Sequence, residues 1–148
     1  MYIQEDLITH RKQIEIGVFL LRTALGLMSI THSLILKLFI FTLPGTAAFF
    51  QSIGLPGWLA YVVSTVEAVG GIMLVLGVQT RWVSMALVPI LAGATWAHLG
   101  NGWMFAYPNG GWEYPAYLTL LAVAQALLGE GAYAMKPSTP LLKPAASA

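Results

Sequence analysis

Four long stretches of this chain, residues 16–42, 58–78, 81–100 and 112–129, carry almost no charge, and each is bounded by glycine, proline or a polar turn. About 20 apolar residues in a row let an α-helix cross roughly 30 Å of hydrocarbon, whereas a membrane β-strand uses only about 9–11. Inside lipid the backbone must satisfy its own hydrogen bonds, so runs of this length can only be helices. Composition agrees: 57% of residues are hydrophobic and 9% charged, against roughly 25% charged in soluble domains. The pattern predicts an all-α integral membrane protein, built as a four-helix up-down bundle with short connections.

Local signals place the boundaries. Pro44-Gly45 breaks the first span, and Gly54-Leu55-Pro56-Gly57 forms the turn before the second. Gly77 and the pair Gln79-Thr80 end the second span, Pro89 predicts a kink within the third, and Asn101 to Gly111 is a loop. Pro115 suits the first turn of the fourth helix, where a missing N–H costs nothing, and Gly129-Glu130-Gly131 ends it. Residues 1–15 space Ile3, Leu7 and Ile14 at helical intervals, which predicts a short amphipathic segment on the membrane surface ahead of the transmembrane domain, residues 16–132. Residues 133–148 are rich in Pro, Ser and Ala and are expected to be a disordered tail. The first apolar run exceeds a signal-peptide core of about 7–15 residues, so it is expected to be retained.

Arg11 and Lys12 precede the first span, Arg81 lies between the second and third, and Lys136 and Lys143 follow the fourth, while the other two loops have no Lys or Arg. The positive-inside rule then puts both termini in the cytoplasm and gathers Trp58, Trp103 and Trp112 at the outer interface. Cysteine is absent, which excludes disulfides, thiolate metal sites, Cys-attached haem and iron–sulfur clusters. Redox chemistry in such a chain needs a bound cofactor, a quinone or a partner subunit. A net charge of +1 with no basic stripe excludes nucleic acid as a partner.

Ionisable residues within apolar spans are where function is sought, because the bilayer penalises an unpaired charge by about 2.5–3.5 kcal/mol at a helix centre. At 100° per residue, Arg22, Gly26, Ser29, Ser33 and Lys37 form one stripe of the first helix, with His32 on its flank. Ser64, Glu67 and Gly71 share a face of the second, and Gly70-Gly71 allows a neighbouring backbone to come close. His98 shares a face of the third helix with Leu91, Ala94, Thr95 and Asn101, and Glu113, Tyr117, Leu120 and Ala124 make a stripe of the fourth. His32 and Glu67 fall at mid-membrane, Lys37, His98 and Glu113 toward the outer side, and Arg22 and Arg81 toward the cytoplasm. Each has a bland reading too. Arg22 and Lys37 can snorkel, Arg81 can mark a helix start, Glu113 can serve a helix N-terminus, and the histidines can be packing residues. No ligand spacing links the histidines, so axial haem ligation or a metal site is the lesser reading.

Leu21-Arg22, Thr31-His32-Ser33 with Lys37, Glu67 with Gly70-Gly71, Gly77-Val78-Gln79-Thr80-Arg81, His98-Leu99-Gly100-Asn101-Gly102-Trp103 and Pro108-Asn109-Gly110-Gly111-Trp112-Glu113-Tyr114 together resemble the DoxX family of bacterial four-helix membrane proteins. The resemblance spans Gly17 to Tyr133, and its most specific parts are Gly-Gly-Trp-Glu-Tyr and Glu-x-x-Gly-Gly. It implies the bacterial inner membrane and an association with membrane redox complexes, including thiosulfate:quinone oxidoreductase; related folds include assembly factors and receptor chaperones.

These readings converge on a redox-associated subunit whose outward-facing polar pocket, lined by His32, Lys37, Glu67, His98 and Glu113, takes a quinone or a small anion. Lys37 and a histidine are expected to hydrogen-bond a quinone oxygen, Glu67 or His98 to exchange the proton, and Trp96 or Trp103 to pack the ring. Beyond the lipid bilayer, a partner subunit or a second copy is the expected protein partner. Two alternatives use the same residues: a non-catalytic scaffold or assembly factor in which the charges fix helix register, and a proton-coupled transporter of a small solute.

Overall fold

The computed structural model describes residues 2–141, with side chains from Gln4; the Ile3 side chain and the distal tail, residues 142–148, lie outside the described residues. Among these, α1 (Tyr2–Ile30) runs without a break into a π-helical segment, Thr31–Ile40, and is followed by α2 (Leu43–Ser52). Next come α3 (Trp58–Leu76), α4 (Thr80–His98) with a 3₁₀ turn at Leu99–Asn101, and α5 (Glu113–Leu128). Among the described residues, three segments are long and apolar enough to cross a membrane: Gln4–Ile40, Trp58–Leu76 and Thr80–Asn101. Leu20, Leu27, Val69, Ile72, Met85 and Leu127 are exposed on the outside of the bundle. Helices that are apolar on every face are what lipid contact demands.

The structure departs from the sequence expectations in three places. Residues 2–15 are the continuous start of α1 rather than a separate surface segment. The connector after the first span contains α2, because Thr42, at φ 61, turns the chain and its hydroxyl accepts the Gly45 amide at 3.2 Å, while Pro44 occupies the first turn. The pair Pro44-Gly45 therefore starts a helix instead of merely ending one. The near part of the tail is docked: the amides of Met135 and Lys136 donate to Leu76 and Gly77 carbonyls at 3.2 and 3.1 Å, and Gln79 donates back to Lys136 at 2.9 Å. Ser138 binds the Glu130 carboxylate through both its amide and its hydroxyl.

Small and polar residues set the packing of α1 on α3. A Cβ on Gly26 would sit 2.8 Å from the Gly71 carbonyl oxygen, and one on Gly71 the same distance from that of Gly26, so the two backbones touch. The Ser33 hydroxyl donates to the Ser64 carbonyl at 2.8 Å, fixing an antiparallel register. Leu25, Leu74, Val83, Leu87, Leu118 and Ala122 fill the core between α1, α3, α4 and α5.

The end of the bundle at the α3–α4 turn is stitched by two arginines. Arg22 is fully buried, donates through Nη1 to the Glu130 carbonyl at 2.7 Å, and lies 5.3 Å from the Phe19 ring centroid. The turn above it needs Gly77, at φ 68, because a side chain there would run into the Arg22 guanidinium and the Ala134 backbone. Arg81 donates to the carbonyls of Ala126, Leu127 and Leu128, satisfying the open end of α5. Neither arginine snorkels; both close carbonyls that lipid would leave unpaired.

Candidate functional site

At the opposite end a cavity of about 650 Å³ lies between the π-helical segment, α2, α3, α4, α5 and the 103–111 loop. Its floor is the core, since Leu25, Leu87 and Leu118 belong to both. Lining residues that are also exposed, Phe41, Gly45, Phe49 and Phe105, mark its mouth between α2 and the loop.

The π-helical winding decides which side chains of the first span line this space. An i→i+5 helix repeats every four to five residues rather than 3.6, and the Phe41 amide indeed reaches back to the Leu36 carbonyl at 2.7 Å. Met28, His32, Leu36 and Phe41, spaced four, four and five residues apart, therefore stay on one wall of the cavity.

Lys37 and Glu67 form an ion pair within the wall, with side chains only 18% and 9% exposed. Since Ser33 sits opposite Ser64, Lys37 lies nearer the helix end than Glu67 does, so its side chain reaches inward, the reverse of snorkelling. The histidines are held alike. His32 Nδ1 is 3.2 Å from the Met28 carbonyl and His98 Nδ1 is 2.8 Å from that of Ala94. A carbonyl only accepts, so Nδ1 is a protonated nitrogen of each ring, and in a neutral imidazole Nε2 is then the acceptor.

The structure thus brings His32, Lys37, Glu67 and His98 to one cavity and leaves three expected members outside it. Glu113 accepts the Phe105 amide at 2.8 Å, holding the loop whose Phe105, Gly110 and Gly111 line the space. Trp96 is 53% exposed, because two residues along a helix from His98 is nearly the opposite face. Trp103 is 55% exposed and packs edge-to-face on Trp112 at 4.5 Å. The pocket is also more apolar than expected, with leucines, Met28 and phenylalanines forming most of its wall.

Sequence reasoning missed Tyr114, which stacks on His32 at 5.9 Å and donates its hydroxyl to Met28 Sδ. Thr46 and Phe49 also line the cavity, on a helix that the sequence pattern presents only as a connector. On α5 the expected stripe faces outward, with Tyr117 60% and Leu120 64% exposed, while Pro115, Leu118, Ala122 and Gln125 are buried. Gln125, the one amide on that helix, was the available signal. Among the described residues no group of three or more His, Asp or Glu could hold a metal ion.

Chemically, the site is an apolar chamber with a fixed ion pair, two imidazole acceptors and an aromatic wall. Chambers of this size, with a few convergent polar groups, suit a small planar organic molecule.

Comparison with known proteins gives a consistent picture. The DoxX family model matches residues 17–100. A protein of Bacillus subtilis (strain 168) that carries the name "Putative oxidoreductase CatD" is 34% identical over 126 residues, covering 85% of this chain and 89% of its own length. No solved structure matches the chain. With more than half its length matched by the family model and a relative that aligns along nearly its whole length, this membrane protein belongs to the DoxX family.

Proposed function

We propose that the chain is a redox-associated subunit of the bacterial inner membrane that binds a quinone-class molecule in the cavity between α2 and the 103–111 loop. In this reading the chain makes four membrane passes with both termini cytoplasmic, which turns the mouth of the cavity outward; the positive-inside bias of Lys and Arg supports that orientation. The observation that carries this reading is an apolar chamber of about 650 Å³ into which two histidines, Glu67 and Lys37 are built. An apolar wall with Tyr114 beside His32 suits a substituted ring, and the volume leaves room for part of an alkyl tail. His32 and His98 are placed to accept or return protons at Nε2, and electrons pass to or from a partner subunit of the membrane complex. The name of the Bacillus relative supports an oxidoreductase context.

The scaffold reading draws on the same ion pair, which fixes the register of the first span against α3. It requires no chamber, whereas the ion pair here is part of a chamber wall. The apolar cluster beneath the cavity, which includes Leu25, Leu74, Leu87 and Leu118, disfavours a transport path through the bundle.

The test is binding of a decyl-tailed benzoquinone, in either oxidation state, to the purified chain in lipid nanodiscs, read by calorimetry. Wild type is expected to bind, and His32→Ala and Glu67→Gln to bind at least about tenfold more weakly while keeping wild-type helicity. Absence of binding to wild type, or unchanged binding in both variants, overturns the assignment.

A further inference from the structure

Hydrogen-bond polarity distinguishes the two oxidation states of such a ligand. A quinone offers two carbonyl acceptors, whereas its reduced, dihydroxy form offers two O–H donors. Side-chain hydroxyls in the wall are already committed as donors: Ser29 to the Leu25 carbonyl at 3.0 Å, Thr46 to the Thr42 carbonyl at 2.9 Å, and Tyr114 to Met28 Sδ. Both histidines likewise spend their Nδ1–H on the carbonyl four residues earlier, so Nε2 of each ring has no hydrogen-bond partner among the described residues and in the neutral imidazole offers a lone pair. Glu67 receives Lys37 on Oε2, and Oε1 has no partner among the described residues. Beyond the lone pairs left on those hydroxyl oxygens, the side chains of the wall therefore present His32 Nε2, His98 Nε2 and Glu67 Oε1 as unengaged acceptors, against one donor group, the remaining N–H bonds of the Lys37 ammonium.

Resting on the reading of the cavity as a quinone-class site, we propose that it is built for the reduced form, a planar ring with two hydroxyl groups, and that the oxidised form is the poorer ligand. The two hydroxyls meet acceptors whose polarity is fixed by the helices that carry them. A quinone finds one donor group, Lys37, and its second carbonyl faces acceptors with no proton to share. An unpaired polar group in an apolar, water-poor site is costly, so the difference is large for so small a chemical change.

Three probes of one shape separate the possibilities: a decyl-tailed benzoquinone, the same molecule reduced by excess dithionite, and the dimethyl ether of the reduced form, which keeps its shape and loses its donors. Each is titrated anaerobically into the full chain in nanodiscs at pH 8. The hydroquinone is expected to bind roughly ten- to a hundredfold more tightly than the quinone, and the dimethyl ether no better than the quinone. In His98→Phe, hydroquinone affinity falls toward that of the quinone while quinone affinity changes little. Quinone binding as tight as hydroquinone binding, or a dimethyl ether that matches the hydroquinone, overturns this inference and leaves the quinone-class site standing. Absence of binding by all three overturns both.

Discussion

The contact between Gly26 and Gly71 is the tightest test of the fold, because its cost can be worked from distances. In Gly71→Ala the new Cβ lies 2.8 Å from the Gly26 carbonyl oxygen and 2.8 Å from Ile30 Cγ1, where ordinary contact begins at 3.4 Å. The nearest obstacle is backbone, which cannot rotate aside, so α1 and α3 must separate by about 0.6 Å. The same shift stretches the Ser33–Ser64 hydrogen bond from 2.8 Å to about 3.4 Å, beyond the range of a good O–H···O bond. Overpacking of about 1–3 kcal/mol and a lost hydrogen bond of about 1 kcal/mol are partly offset by alanine's helix preference of about 1 kcal/mol. The net expectation is a loss of about 1–3 kcal/mol. Gly93 is the control, since a Cβ there meets nothing within 4 Å and the same substitution gains up to about 1 kcal/mol. SDS titration in mixed micelles, followed by circular dichroism, measures both. A Gly71→Ala protein no less stable than Gly93→Ala refutes the close crossing.

Lys37→Met leaves Glu67 buried without its partner and is expected to cost about 3–5 kcal/mol in the same titration, whereas Lys37→Met combined with Glu67→Leu recovers most of that loss. A double-mutant coupling near zero contradicts the ion pair. Arg22→Gln removes a charge-assisted bond to the Glu130 carbonyl, so the Met135 and Lys136 amides are expected to exchange hydrogen roughly tenfold faster. Unchanged protection there shows that the tail is held without Arg22.

What could be read in advance depended on how the inside of the bundle is marked. On the first span and α3 many of the buried residues are polar or small, and Arg22, Ser29, Ser33, Ser64, Glu67 and Gly71 are legible as inner faces for that reason. On α5 both faces are apolar, because lipid replaces water outside and removes the polar exterior that periodicity relies on. A stripe drawn from Glu113 therefore followed a residue engaged with the loop, and Gln125 went unused. Leu36 and Phe41 escape a reading at 3.6 residues per turn, because the segment that leads to them is wound more widely. The docked tail was invisible for another reason. Its order comes from backbone pairing with Leu76, Gly77 and Gln79, and from Glu130 and Arg22, far away in the chain.

The π-helical winding from Thr31 to Ile40 also sets how this cavity responds to insertions and deletions. One residue removed between Ser33 and Lys37, with the winding on either side kept, shifts every later side chain by one helical position. Every side chain beyond the deletion then turns by about 100° relative to those before it. Lys37 leaves Glu67, and Leu36 and Phe41 leave the wall, although no functional group has been lost from the protein. For this site the length of the chain is as much a determinant as its chemistry, and a single-codon deletion reshapes it more deeply than most substitutions within its lining.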